Sequence, residues 1–481
     1  MKFDPYLVQV KKLAQTRKVS VFLVGGFLRD LLLKRNSLDL DFAVERNAIT
    51  FAKVFARKIK GAFVLLDEEH GCARVARKSG NGILTFDFAD FRDISLKNDL
   101  KKRDFTVNTF ALNMKNWKGG DLTDILEDNV HATKDLDDKI TRMVSPGAFK
   151  EDPLRLLRAF AMRAALGFTI EKKTLDRIRK DRELIRNVSA ERVREELFKI
   201  LETERCAAVL KAMDKAGLLE IVIPQIRVMF DVKQGSYHHL NVWPHSLETV
   251  RQMDILVKEV RDDHEVTGYL NEIMASHRSR KAILKLACLL HDIGKPQTRR
   301  KEGERIRFHG HEHAGVMITN AVSRQLKLST RERHVLADLV QMHLRPGYLS
   351  NFKKPSEKSF FRYFRDAKEE AVSTALLSIA DQRSTKGPLT ADEDVAHHDK
   401  ICRELIRRYF EQLRRQPFVP LINGDDLIQI SGLKPSPLFS KILKEVAEAQ
   451  ATGEIATKEQ ALIRAGRIAG IKSGTGNSEQ R

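Results

Sequence analysis

The order of apolar and polar positions divides the chain into two regimes. From residue 21 to about 113, short apolar runs bounded by turn formers mark strands at 21–25, 38–44, 62–66, 72–77 and 83–91. An amphipathic helix is predicted at 47–60, and another leads the chain over 1 to about 20. Beyond about 140 the spacing becomes helical and strand signals are few. The expected class is α+β. An N-terminal head of mixed sheet plus helices spans 1–140, and all-helical segments follow at 141–235, 236–390 and 391–470. The end, 471–481, is polar and glycine-rich and is expected to be disordered. No internal repeat is evident.

One stretch of the head concentrates chemistry: Val21 to Val44, VFLVGGFLRDLLLKRNSLDLDFAV. An apolar run ends in Gly25-Gly26, and a short helical pattern follows with Leu28, Leu31 and Leu32 on one side. A second strand then carries Asp39 and Asp41. Residues two apart share a face, so Leu40, Phe42 and Val44 pack inward while both carboxylates face a cleft. Adjacent carboxylates repel unless a cation lies between them, and hard oxygen ligands suit Mg²⁺. The Gly-Gly turn offers backbone N–H groups to phosphate oxygens at a helix start. A DxD pair or a Gly-Gly turn alone is common; both at strand ends of one short unit suggest nucleotidyl transfer.

ILTFDFADF, 83–91, alternates. Phe86, Phe88 and Phe91 are expected on the core side, Thr85 and Asp87 on the other. Asp87 could complete a carboxylate triad, although alone it reads equally as a solvent-facing strand residue. In KKRDFTVNTFAL, 101–112, Arg103 has a fork that fits a triphosphate, while Asp104 and Asn108 read as helix braces. In EDPLRLLRAFAMRAALGF, 151–168, Asp152, Arg155 and Arg158 are three apart and expected on one helix face, opposite Leu156, Leu157 and Phe160. Such an Asp–Arg pair could meet a base edge; the plain alternative is a helix cap followed by surface arginines. ERVREELFKIL, 191–201, is an amphipathic packing helix.

Composition narrows the partners. The 481 residues carry a formal charge of +20, which favours a polyanion, nucleic acid first. Hydrophobic residues at 42% are ordinary for a globular protein, and no stretch approaches the ~20 apolar residues of a membrane helix. With no apolar leader at the start, a cytoplasmic protein is expected. Cys72, Cys206, Cys288 and Cys402 are too dispersed for a disulfide frame or zinc site.

LVGGFLRD, LDLDF, KKRDFTVN, EDPLRLLRAF and ERVREELFKIL, in this order and spacing, resemble the class II tRNA nucleotidyltransferase/poly(A) polymerase family, in particular bacterial CCA-adding enzymes with an HD domain. The resemblance implies head, neck, body and tail regions and two-metal addition of CTP and ATP to tRNA 3′ ends. It implies that Asp39 and Asp41 hold Mg²⁺, with Asp87 as third carboxylate. Gly26, Arg29 and Arg103 match nucleotide-binding positions, Asp152 and Arg155 the base-selecting template, and Arg158 a neighbouring nucleotide contact. Two departures stand out. Ala161 occupies a position where relatives often carry arginine, and ILEDNVHATKDL, 125–136, is longer than usual and lacks glycine. These leave room for a specialised CC-adding or A-adding enzyme. A poly(A) polymerase is a further alternative, against which Gly25-Gly26-Phe27-Leu28 stands where a basic segment is typical. An HD phosphohydrolase with an RNA-binding head is the alternative from another class.

A second set begins near 236. His245, His291-Asp292, His311, His343 and Asp381, in this order, resemble the HD metal-dependent phosphohydrolase superfamily. Imidazole and carboxylate together suit a divalent transition metal. His311 and His343 match second-metal positions of some members, and the substrates implied are 2′,3′-cyclic phosphates and related phosphoesters. His291-Asp292 is expected to close the apolar helix AILKLACLL, with Gly294 as its C-cap. His309, His313, His334, His397 and His398 read as ordinary histidines. The stretch 421–455 resembles the family's tRNA-binding tail, with Gly432 and Pro435 to Pro437 breaking the chain before a helix near Leu438. Sequence leaves the oligomeric state open.

Overall fold

The structure is a computed structural model. It describes residues 4–470 apart from 80–81, 120–130, 236–237, 304, 389, 415–417 and 432–435. The glycine-free stretch from 125 to 130, Gly432, Pro435 and the end at 471–481 therefore lie outside the described residues. The chain forms two compact units, Met1–Pro224 and Gln225–Arg481.

The first unit is built on a six-stranded sheet: β1 (Val21–Val24), β2 (Asp39–Val44), β3 (Ala62–Asp67), β4 (Cys72–Ser79), β5 (Gly82–Asp90) and β6 (Ala111–Asn113), ordered β3-β4-β5-β2-β1-β6. Its pairs are antiparallel except β2 and β5, which run parallel. The period-two alternation fixes what each face does. Leu40, Phe42, Val44, Phe86 and Phe88 are buried on one side beneath Phe51 and Phe55 of the helix Ala48–Ile59. Phe42 and Phe88 stack with centroids 4.9 Å apart, which locks β2 and β5 together. The leading helix, Asp4–Arg17, adds Tyr6 against Phe86. The opposite face holds Phe22, Val24, Ala43, Leu100 and Ala111. Phe91 packs there, not with Phe86 and Phe88, because an odd position falls on the face opposite theirs in the period-two alternation.

Helices make up most of the rest of this unit, notably Arg155–Leu166, Lys172–Asp181, Ala190–Leu201 and Cys206–Lys215. Leu156, Leu157 and Phe160 are fully buried. The helix expected from Pro153 starts later, at Arg155. Glu151 closes the short helix Ala148–Glu151, and Asp152 is extended between the two. Asp152 therefore does not share a helix face with Arg155 and Arg158.

The second unit is helical, with small two-stranded ribbons. The helix Arg280–Leu290 is buried on all sides and ends just before His291. Gly294 is not its left-handed C-cap. It has φ −84° and precedes the short helix Lys295–Thr298. Its role is close approach: a Cβ there would stand 2.0 Å from the His311 carbonyl oxygen. The tail helices Gly424–Ser431, Pro437–Ala451 and Lys458–Ile468 enclose a small core of Leu427, Phe439, Ile442, Val446, Ala461 and Ala465. Pro437 opens its helix rather than breaking before it, as suits a residue without an N–H. Among the described residues, no helix is long and apolar enough to cross a membrane.

Candidate active site

One rung of the head sheet carries the acidic chemistry. Register pairs Val24 with Asp41, Asp41 with Asp87, and Asp87 with Arg74. The same pairing sets Asp39 beside Thr85. The backbone thus brings Asp39, Asp41 and Asp87 to one face across two adjacent strands. Asp39 is exposed and accepts a hydrogen bond from the Thr85 hydroxyl. Asp87 is met by Arg74. Among the described residues, the sets of three ligand groups within 4.8 Å of one another lie in the second unit. The head carboxylates are not among these sets, and Asp87 is turned to a guanidinium.

Asp41 is partly buried at the centre of the rung. Its carboxyl is pushed up to about 6, first by burial, then by the Asp87 charge, with Asp39 adding to the effect; Arg103 and Arg158 oppose it. A group that ionises reluctantly and sits beside two other acids gains most from a divalent cation. The chemistry of this donor set, all carboxylate oxygen, fits Mg²⁺.

The turn after β1 closes over this carboxylate. Gly25 has φ +82°, and a Cβ on it would stand 3.2 Å from Asp41 Oδ2 and 3.4 Å from Arg103 Nη1. Only glycine leaves that gap open. The helix that follows, Gly26–Leu32, has seven residues, and Arg29 and Arg103 stand near its start. Arg103 is steered by Asp99, to which its Nε and Nη2 donate at 3.2 and 3.1 Å. Arg29 donates to Asp30 and, at 2.6 Å, to Asn108 Oδ1. Asn108 in turn donates to Asp104 Oδ1 at 3.0 Å, and Arg158 pairs with Asp104 Oδ2 at 3.0 Å. Burial alone would raise the Asp104 carboxyl, but the Arg158 charge and the Asn108 and Phe105 hydrogen bonds hold it below its usual value.

The remaining residues singled out in the helical part are engaged internally. Arg155 is buried and donates to the carbonyls of Lys102 at 2.7 Å, Ala148 at 3.1 Å and Arg103 at 3.4 Å. Asp152 pairs with Arg192 at 3.1 Å. Arg158 is half exposed. Ala161 is buried, so its position is a packing one.

The second unit holds a tighter set. His245 projects from the helix Val242–Glu259, His291-Asp292 follow Arg280–Leu290, His311 opens His311–Gln325, His343 follows Thr330–Met342, and Asp381 lies near the end of Ala371–Arg383. Two ligand groups form: His245, His291 and Asp381; and Asp292, His311 and His343. Asp292 links them. Its Oδ2 lies 3.3 Å from His291 Nε2 and 3.6 Å from His245 Nε2, its Oδ1 3.4 Å from His311 Nε2 and 3.9 Å from His343 Nε2.

Backbone carbonyls orient three of the rings. His291 Nδ1 donates to Cys288, His311 Nδ1 to Phe308 and His343 Nδ1 to Val340, at 2.9, 2.8 and 2.7 Å. A carbonyl only accepts, so each Nδ1 carries hydrogen and Nε2 faces the cluster, the arrangement that metal-ligating histidines favour. His291 Nε2 and Asp292 Oδ2 are buried without an aligned hydrogen bond, which also fits a metal. Burial opposes charge on His291, yet Asp292 and Asp381 push it up to about 10. Lys295, which sequence reasoning missed, forms an ion pair with Asp292 Oδ2 at 2.7 Å and donates a hydrogen bond to Gln234 Oε1 at 2.6 Å. Its position three residues after Asp292 was the available signal. Among the histidines set aside, His398 is buried and bonds Ser378 at 3.0 Å.

The family model "Poly A polymerase head domain" matches residues 21–142, "Probable RNA and SrmB-binding site of polymerase A" 167–229, "HD domain" 242–386, and tRNA nucleotidyltransferase domain 2 396–465. An A-adding tRNA nucleotidyltransferase of Deinococcus radiodurans is 30% identical over 450 residues, covering 91% of this chain and 93% of its own. A CC-adding tRNA nucleotidyltransferase of Thermus thermophilus is 30% identical, covering 92% of each. The solved Thermotoga maritima CCA-adding enzyme, complexed with tRNA, shares the fold with a TM-score of 0.63 at 20% identity, covering 97% of this chain and 95% of its own. These relatives align over more than nine-tenths of both chains, and this protein belongs to the tRNA nucleotidyltransferase family.

Proposed function

We propose that this protein adds nucleotides from CTP and ATP to tRNA 3′ ends to complete CCA, in the head cleft. The observation that carries this is the rung Asp41–Asp87 beside a glycine turn that approaches Asp41 and Arg103 too closely for a side chain. Two Mg²⁺ ions held by Asp39, Asp41 and Asp87 would activate the tRNA 3′ hydroxyl and offset charge on the departing pyrophosphate. The chain's own residues bind and aim. Arg103, fixed by Asp99, meets the triphosphate, as do the Gly26 turn and Arg29. The hydroxyl displaces pyrophosphate from the α-phosphorus in line. Asp152 and Arg155 select the base once released from Arg192 and the carbonyls that hold them, with Arg158 beside the nucleotide. The +20 charge favours the tRNA, and the tail helices at 424–468 are a contact for it.

A specialised reading has its own support. The A-adding and CC-adding relatives align over 91% and 92% of this chain. Incubation of tRNA ending before CCA with CTP alone, ATP alone and both separates the readings. Stopping after CCA with both nucleotides supports full addition; stopping after CC, or adding A only to tRNA ending in CC, supports a specialised enzyme. A long homopolymer on generic RNA overturns both.

The second unit we read as a metal-dependent phosphohydrolase of 2′,3′-cyclic phosphates and related phosphoesters. Divalent transition metals at its two ligand groups would supply a hydroxide nucleophile. Lys295 lies at the cluster and is placed to meet a phosphate oxygen. Hydrolysis lost on His291→Ala and kept on Asp39→Ala is the expected pattern. The protein is expected in the cytoplasm with tRNA.

A further inference from the structure

Arg74 lies on the acidic rung, one strand further out. β4 and β5 place it opposite Asp87 just as β5 and β2 place Asp87 opposite Asp41. Its guanidinium meets that carboxylate as a fork: Nε donates to Oδ1 at 2.8 Å and Nη2 to Oδ2 at 2.8 Å. Both oxygens of the third carboxylate are engaged. A planar fork matches a carboxylate in a way that a lysine ammonium does not. The Arg74 side chain is 43% exposed, so solvent reaches it and no packed core holds the fork shut.

The three acids are thus unequal. Asp39 is exposed, with a neutral hydroxyl as its hydrogen-bond donor. Asp87 already has a cation. Mg²⁺ demands near-ideal octahedral geometry and binds through one or two carboxylates plus substrate phosphates. Each Asp87 oxygen keeps a second lone pair, but the guanidinium charge opposes a divalent ion there while the fork holds.

We propose that Arg74 is a positioning residue that stands in for a divalent cation at Asp87 and, while its fork holds, competes with an ion for that carboxylate. Arg74 neutralises the third acid in the nucleotide-free enzyme and keeps it on the cleft face. The pair Asp39–Asp41 accepts an ion without this competition. The ion at Asp87 binds weakly until nucleotide phosphates add ligands. Asp87 is thereby coupled to nucleotide arrival, and Arg74 sets the threshold.

The inference rests on reading the head as a metal-dependent nucleotidyl-transfer site. It differs in sign from a plain structural role. A permanent brace would orient Asp87 for the metal, and its loss would weaken metal binding. A competing cation, once removed, strengthens it.

The test is Mn²⁺ binding to the nucleotide-free full chain, read by electron paramagnetic resonance of free Mn²⁺. Wild type, Arg74→Gln, Arg74→Lys, Asp87→Asn, Asp41→Asn and the Arg74→Gln/Asp87→Asn double variant are compared. The His–Asp sites of the second unit contribute alike to all. Arg74→Gln is expected to tighten one Mn²⁺ site about tenfold, the scale of ~1.4 kcal/mol. The gain should vanish in the double variant. Arg74→Lys, which keeps charge but not the fork, should gain about threefold, and it carries the test where the glutamine variant does not fold. The Mg²⁺ concentration for half-maximal nucleotide incorporation should fall in parallel. Unchanged or weaker Mn²⁺ binding in the Arg74 variants, or a gain that survives Asp87→Asn, overturns the proposal. If Asp41→Asn and Asp87→Asn both bind Mn²⁺ as wild type does, the metal-site reading of the head falls with it. If Asp41→Asn loses a site and Arg74→Gln gains nothing, only the role of Arg74 falls.

Discussion

Replacing Asp41 by asparagine should stabilise the metal-free head while abolishing its chemistry. Asp41 ionises near 6 rather than 3.8, because burial and the Asp87 charge disfavour its anion. An acid whose folded pKa lies above its unfolded one binds its proton more tightly when folded, so stability falls as pH rises between those values. The cost is absent below 3.8 and fully present above about 6, where it reaches about 3 kcal/mol. Water reaches part of the side chain, so a gain of about 1–3 kcal/mol is expected on removing the charge. For a unit of the size of Met1–Pro224, that raises the unfolding midpoint by about 2–12 °C. The assay is thermal unfolding in chelator at pH 7.5 and pH 5, followed by a probe in the first unit. The advantage of Asp41→Asn should shrink to about half at pH 5, where the wild-type carboxyl is largely protonated. Added Mg²⁺ should raise the wild-type midpoint and leave the variant's nearly unchanged. A variant no more stable than wild type in chelator at pH 7.5 would refute the electrostatic account of the rung.

Other outcomes follow from the same geometry. Arg103→Ala removes a charged donor beside the glycine turn and should raise KM for the nucleotide about 10- to 100-fold, with a smaller loss in kcat, in steady-state incorporation assays. Phe88→Ala opens a cavity between Phe42, Phe51 and Phe55 and should destabilise the first unit by about 3–5 kcal/mol in denaturant unfolding. Metal loading of the His–Asp cluster at pH 7 should release about one proton. His291, pushed up to about 10, must lose its Nε2 proton to ligate, so affinity rises with pH through that range. Calorimetry in buffers of different ionisation enthalpy checks this, and no proton release would contradict it.

Much of the head was legible because period-two alternation reports faces directly. Once 38–44 and 83–91 read as strands, the shared face of Asp39 and Asp41 and the outward turn of Asp87 followed, and the register agrees. Arg74 was missed because its meaning lies in a cross-strand pair. The register that pairs Ser79 with Gly82 sets Arg74 opposite Asp87. Ending that strand at 77 discarded the signal. The break at Asp152 was hidden because Pro153 suits an early helix position, whereas the backbone delays the helix to Arg155. Gly294 resembled a C-cap by its place after an apolar helix. Its requirement comes from the His311 helix pressing against it, a tertiary contact that local pattern does not encode. The His–Asp order was visible, but Asp292 as the link between two ligand groups is a matter of distances.

The most direct test of the central claim is incorporation of labelled CTP and ATP into tRNA lacking CCA by wild type, Asp41→Ala and His291→Ala. The carboxylate rung predicts loss of incorporation in Asp41→Ala and retention in His291→Ala. Incorporation by Asp41→Ala at the wild-type rate would contradict it.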